Sequence, residues 1–226
     1  EKCDAEKVIK GNDYVQSITL LSVTSLPDYA FDSCESLQTV SIGDACKKLG
    51  KAPFRGCTSL SSMSGNDKYF SSNGILYEKL DDGTLKIKEV FASRGTAVGQ
   101  QVVNSTTDPD ITSVTEIEDG AFQNCDAITG VDLSDAASGV SGKLTKIPDS
   151  AFKDCKTLSE VILPESVNSI QDKAFAGDTP LVVTIPGREV FISTTAFEHL
   201  SNVKLRSYEG SAAQEYANYY KTMSYE

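Results

Sequence analysis

Tryptophan is absent from the 226 residues, methionine occurs twice and histidine once. With His199 alone, the chain lacks the spare imidazoles from which histidine-based hydrolytic sites are built, and a solvated surface histidine is expected there. No apolar run approaches the roughly 20 residues needed to cross a bilayer, so membrane insertion by this region is not expected. Basic residues are few: 21 Lys and Arg face 32 Asp and Glu, a net charge of −11. That balance opposes an electrostatic hold on phosphate backbones or anionic lipids, and nucleic acid is excluded as an expected partner. Also missing are a glycine-rich phosphate loop, a nucleophile elbow and a dinucleotide fingerprint. The sequence starts at Glu1-Lys2-Cys3-Asp4 without a basic-then-apolar leader, as in a cytosolic protein or a mature form whose targeting segment has been removed.

What is present is a repeat. The unit IPDSAFKDCKTLSEVIL begins at Ile147 and recurs as IEDGAFQNCDAITGVDL from Ile117 and LPDYAFDSCESLQTVSI from Leu26. Weaker copies begin at Leu49, Ile170 and Ile192. Their phenylalanines, Phe31, Phe54, Phe122, Phe152, Phe175 and Phe197, are separated by 23, 68, 30, 23 and 22 residues. The interval of 30 holds a small, polar loop from Ser134 to Gly142, and the interval of 68 is close to three periods with diverged copies inside it. The phrase Leu158-x-x-Val161-x-Leu163 alternates as a short, half-buried strand does, and stacked strands of this kind satisfy one another's backbones. The alanine before each phenylalanine permits a tight turn, and Asp149-Ser150 is placed to cap a single helical turn. One coil cannot hide its own apolar face. Only the stack can.

Residues from Asn66 to Gly99 depart from the period. Asn73 to Leu80 and Leu85 to Lys88 alternate around Asp82-Gly83, which predicts a β-hairpin whose Asp-Gly pair supplies positive φ angles. Ser211 to Tyr220 has helical spacing and suits an end cap, while Val15-x-x-Ile18-x-Leu20 reads as a worn first strand and Ala5 to Ile9 as a short leading helix.

With these motifs together, the chain resembles the BspA-like leucine-rich repeats of bacterial surface proteins. The resemblance rests on the units at Leu26, Ile117 and Ile147, on Asn73-Gly74-Ile75-Leu76-Tyr77, and on the closing Tyr208-Glu209-Gly210-Ser211-Ala212-Ala213-Gln214-Glu215-Tyr216-Ala217. It implies a single leucine-rich-repeat solenoid of the α/β-repeat class, with a parallel sheet on one face. Repeats would occupy about 15–65 and 102–207, a hairpin insertion about 66–101, and a C-terminal helical cap about 208–226. Pro53 in place of alanine, Asp178 in place of a repeat cysteine and the worn last copy are local departures.

Cys34, Cys57, Cys125 and Cys155 each follow a repeat phenylalanine by three residues. They form an inward column of small hydrophobes, and Cys46 matches core positions held by Val23, Val114, Leu144 and Val167. A Cys3–Cys46 bridge and a zinc site are therefore not expected. Paired acids such as Asp81-Asp82 and Glu116-x-Glu118-Asp119 read as turn formers and solubilising charge, since nothing has the spacing of a calcium loop. Neither a catalytic residue nor a cofactor is expected.

Recognition is expected on the solvent face of the strands, which includes Thr39, Ser41, Asp132, Glu160 and Ile162 beside Gln38, Thr129, Gly130, Ser159, Lys204 and Arg206. The aromatic residues Tyr69, Phe70 and Tyr77 around the hairpin are the other candidates. The implied function is non-catalytic: a secreted or cell-surface protein, monomeric and lipid-anchored before processing, that binds a host or bacterial protein or glycan. The alternative is a spacer presenting another domain at the cell envelope.

Overall fold

The computed structural model describes residues 10–91, 102–126, 128–140, 142–177, 180–200, 202–220 and 223–225. The leading helix expected at Ala5–Ile9, Cys3 and Asp178 lie outside the described residues.

Each coil contributes one short strand to a parallel main sheet, which is broken into two parts. The first holds Ser17–Leu20, Thr39–Ile42 and Ser62–Ser64; the second holds Val102–Val103, Gly130–Asp132, Glu160–Ile162, Leu181–Thr184, Val203–Arg206 and Met223–Tyr225, in sequence order. Register in the second part aligns Val103, Val131, Val161, Val183 and Leu205. All five are at most 2% exposed, so the alternation of each strand becomes one continuous apolar row. Two-residue strands make two narrow parallel sheets elsewhere on the coil: Ser25–Leu26 beside Lys48–Leu49 in one, and Lys146–Ile147, Ser169–Ile170 and Phe191–Ile192 in the other. The sequence pattern carried no sign of these narrow sheets.

The turn around each phenylalanine is not the helical turn expected from Asp149-Ser150. Backbone φ is positive two residues before the ring, at Tyr29, Ala52, Gly120, Ser150 and Lys173, and two residues after it, at Ser33, Gly56, Asn124, Asp154 and His199. These left-handed corners aim the ring inward and let coils pair at the turn itself. Phe31, Phe122, Phe152 and Phe175 each donate their N–H to the carbonyl that precedes the next coil's phenylalanine, at 2.7–2.8 Å. Their rings stack: Phe31 on Phe54 at 5.6 Å, then Phe122, Phe152, Phe175 and Phe197 at 4.6, 5.2 and 5.1 Å.

The cysteines complete this corner. Cys57 Sγ lies 3.1 Å from the Phe31 carbonyl oxygen and Cys155 Sγ 2.9 Å from that of Phe122. A small residue with a weak S–H donor thus fits a position that must be both apolar and able to answer a buried carbonyl. Cys125 Sγ meets the Phe91 carbonyl at 3.8 Å and Val90 donates its N–H to the Ala121 carbonyl at 2.7 Å, so Val90-Phe91 stands at the corner of a diverged coil inside the 68-residue interval. Among the described residues the five cysteines are buried and outside any disulfide.

The insertion is a three-stranded antiparallel sheet, Tyr69–Ser72, Ile75–Lys79 and Leu85–Val90, which Val114–Ile117 extends in parallel. Its second turn fits the hairpin expected at Asp82-Gly83, but only Gly83 has positive φ there, at 84°. The Asp82 carboxylate instead accepts hydrogen bonds from Thr84 N at 2.9 Å and Thr84 Oγ1 at 2.6 Å. The pair of positive angles belongs to Asn73 and Gly74, at 48° and 76°, between the directly paired Ser72 and Ile75.

Leu76, Tyr69 and Phe91 pack into the core of the first block, whereas Ile75, Tyr77, Ile87 and Val90 pack into that of the second. The inserted sheet therefore lies between the two blocks. At the far end, the helix Ala212–Tyr219 closes the stack, with Tyr216 set 5.8 Å from Phe197. Ser211 Oγ accepts from Gln214 N at 3.3 Å while Gln214 Oε1 accepts from Gly210 N at 2.7 Å, a reciprocal N-terminal cap.

Candidate functional site: the outer face of the main sheet

Strand pairing sorts the expected recognition residues into two separate groups. Thr39 and Ser41 stand on the first block, where register places Thr39 between Ser17 and Ser62 and Ser41 between Thr19 and Ser64. The result is a pair of hydroxyl columns that bond along themselves: Thr39 Oγ1 donates to Ser17 Oγ at 2.9 Å and Ser64 Oγ to Ser41 Oγ at 2.8 Å.

Asp132, Glu160 and Ile162 come together on the second block. Gly130 pairs with Val102 on one side and Glu160 on the other, so its lack of a side chain leaves a hollow in the row. The hollow measures about 290 Å³ and is lined by Val102, Asn104, Thr129, Gly130, Asp132, Ser159, Glu160 and Ile162, with Val131 beneath. A Cβ at Gly130 would meet the Val102 methyls at 3.7 Å, an ordinary contact. The gap therefore comes from residue choice and not from crowding. Beyond it, Arg206 reaches back across the intervening strand and sets Nη1 3.0 Å from Glu160 Oε1.

The aromatic candidates are placed otherwise. Tyr69 is 1% exposed and Tyr77 fully buried, so both are core residues and are corrected from recognition to packing. Phe70 is half-buried, stacked on Tyr77 at 5.2 Å with Lys79 Nζ 5.6 Å from its ring centre. The reason is the position of the inserted sheet: a strand between two cores has no wet face to present. Tyr69 also has a polar task, for its hydroxyl accepts the Leu49 N–H at 3.1 Å.

Sequence reasoning missed two adjacent ionisable side chains buried inside that junction. Lys88 and Glu89 are 5% and 4% exposed. Lys88 Nζ lies 3.4 Å from the Leu49 carbonyl and 2.9 Å from Glu118 Oε2, with Glu78 Oε2 at 3.8 Å. Glu89 Oε2 accepts the Phe54 N–H at 3.1 Å. In an unbroken stack the next coil's backbone supplies both partners, as Gly50 N does for Leu26 O and Pro53 O for Phe31 N. Two adjacent side chains here stand in for a missing coil. Burial pushes the Glu89 carboxyl up to about 8, against the pull of the Phe54 N–H and the nearby Arg55 and Lys88 charges. The only signal in the sequence is that alternation stops after Ile87.

Thiol chemistry is disfavoured by the same burial, which raises the Cys57 thiol to about 12 and Cys155 well above its ordinary value. His199 sits at a left-handed corner with its side chain 74% exposed, as expected for a surface residue. Among the described residues, no group of His, Cys, Asp and Glu could hold a metal ion, and no helix is long and apolar enough to cross a membrane.

The family profile described as BspA type leucine rich repeat region matches in six copies over residues 6–89 and 101–204. The chain belongs to the BspA-type leucine-rich-repeat family. No curated protein matches it significantly. Among solved structures, this BspA-type chain is similar to a leucine rich cell surface protein from Faecalibacterium prausnitzii, at 21% identity and TM-score 0.53, covering 94% of this chain and 63% of that one. It is also similar to the pneumococcal vaccine antigen PcpA, at 18% identity and TM-score 0.61, covering 86% of this chain and 51% of that one. The BspA-type chain thus spans less than two thirds of either solved chain, and the likeness is one of fold.

Proposed function

We propose that this chain is part of a secreted or cell-surface bacterial protein that binds a protein or glycan along the outer face of its second main sheet, without catalysis. The observation that carries this reading is the hollow over Gly130, a recess on an otherwise regular face, ringed by Asp132, Glu160 and Ile162. Family membership and the cell-surface location named for the similar Faecalibacterium prausnitzii protein support it. A surface-plasmon-resonance screen against matrix proteins, mucins and glycans tests it. At least one of them should bind, and Ile162→Arg should weaken that binding. Silence at high micromolar concentration, or indifference to Ile162→Arg, overturns the reading.

The first block favours a different task. Two pairs of its facing hydroxyls, Thr39 with Ser17 and Ser64 with Ser41, already bond to each other, which leaves them less to offer a partner, as suits a spacer that sets the binding block at a distance. Lengthening or shortening that block would then change reach without changing affinity.

A further inference from the structure

The face around the hollow is chemically asymmetric. On the strands Gly130–Asp132 and Glu160–Ile162 its outward groups are acidic and apolar, whereas on Val203–Arg206 they are Lys204 and Arg206. Arg206 places its guanidinium on Glu160 at 3.0 Å, although a whole strand separates the two residues. The acidic side of the face thus draws a cation from beyond its immediate neighbour. Asp132, on the opposite flank of the hollow, accepts among the described residues a local backbone hydrogen bond from Ser134 N at 2.9 Å, through Oδ1. Val102, 36% exposed, and Ile162 supply apolar walls. A long side chain with an alkyl stem and a cationic tip matches this combination: the stem covers apolar wall and the tip meets carboxylate. The net charge of −11 favours approach of such a partner over long range.

We propose that the hollow over Gly130 receives a lysine or arginine side chain from a basic protein partner, the stem lying along Val102 and Ile162 and the charge between Asp132 and Glu160. This rests on the binding-face reading above and names its partner class. Glu160 already carries Arg206 as a counter-charge; a neutral glycan would leave Asp132 without one, and an acidic partner would be repelled by it.

Fluorescence anisotropy with labelled oligolysine and oligoarginine peptides, at low and high salt, tests the proposal. The native chain should bind at least one of them, and capping lysine by acetylation should abolish binding of the lysine peptide. The double variant Asp132→Asn, Glu160→Gln should lose about tenfold or more in affinity. Gly130→Leu, which fills the recess and leaves every charge in place, should lose a similar factor. A control that removes the same charge elsewhere, Asp81→Asn with Glu209→Gln, should stay within about twofold. Circular-dichroism melts identify any variant whose fold has changed. Should the control lose as much as the double variant, the attraction is diffuse and the proposal falls. If neither peptide binds while a matrix protein or glycan still does, the cationic partner is overturned and the binding face stands. Should Gly130→Leu bind as well as the native chain, the recess plays no part.

Discussion

A coil of the second block and the inserted sheet use the same kinds of residue to different ends. In the coil, a strand such as Glu160–Ile162 buries its central residue and turns the flanking two toward solvent. In the inserted sheet, Ile75, Leu76 and Tyr77 are consecutive and all fully buried, because one core lies on each side. Repetition lets a coil keep a wet face. Interruption takes that face away, and residues that would carry recognition on a coil become packing.

The largest expected effect tests whether the two regions are equally core. Phe152 stacks between Phe122 and Phe175, so Phe152→Ala should destabilise by about 3–5 kcal/mol. Leu76→Ala should fall in the ordinary core range of about 2–5 kcal/mol. Thermal and urea melts measure both. A loss under about 0.5 kcal/mol at Leu76, the level of a surface change, would break the comparison.

Next comes the pH dependence of the junction. The folded Glu89 carboxyl keeps its proton up to about 8, whereas its ordinary value is 4.5. Between those values the folded state binds more protons than the unfolded one, so stability should fall as pH rises through the window and level off above it. The fall should amount to a few kcal/mol on the order-of-magnitude scale of one unit per 1.4 kcal/mol. Glu89→Gln keeps an acceptor for Phe54 N and should remove the slope, which denaturation across pH 4–9 reads directly. A native slope unchanged in Glu89→Gln would place the titrating group elsewhere.

Lys88→Met should be milder, at about 1–3 kcal/mol, the cost of leaving a buried acceptor unanswered. Its partner Glu118 still has Lys86 at 2.9 Å, while the Leu49 carbonyl loses its ammonium. Smallest is Gly130→Ala, expected to lie within about 0.5 kcal/mol of the native chain. Gly65→Ala is its opposite, since an added Cβ there would sit 1.8 Å from the Tyr69 carbonyl oxygen and should disrupt the entry to the inserted sheet. Side-by-side melts of the two glycine variants separate a vacancy left open on a coil from a turn with no room.

How far the sequence could be read follows from the same contrast. The phenylalanine and cysteine columns were legible because a repeated position repeats its environment, so several copies vouch for one another. The left-handed corners were hidden because Tyr29 and Ser150 occupy them without glycine, held there by coil-to-coil hydrogen bonds that no local pattern displays. Asp132, Glu160 and Ile162 were legible as outward residues, but the recess they surround depends on what Gly130 lacks between its neighbours. Tyr69 and Tyr77 were misplaced because an aromatic residue outside the period looks the same whether it faces solvent or a second core. Lys88 and Glu89 were overlooked for a related reason: charge in an alternating strand ordinarily means water, and here it means an absent backbone.

Lys88 and Glu89 have a consequence for how such an array changes length. Because they answer the first block through side chains, the backbone after it is released from the pitch of the coil. The junction acts as an adaptor whose two ends are fixed and whose middle is not. Residues added at the exposed Asp81–Gly83 tip would leave the bonds to Leu49 and Phe54 in place. A solenoid built this way can gain foreign sequence at one seam while every coil on either side keeps its neighbours.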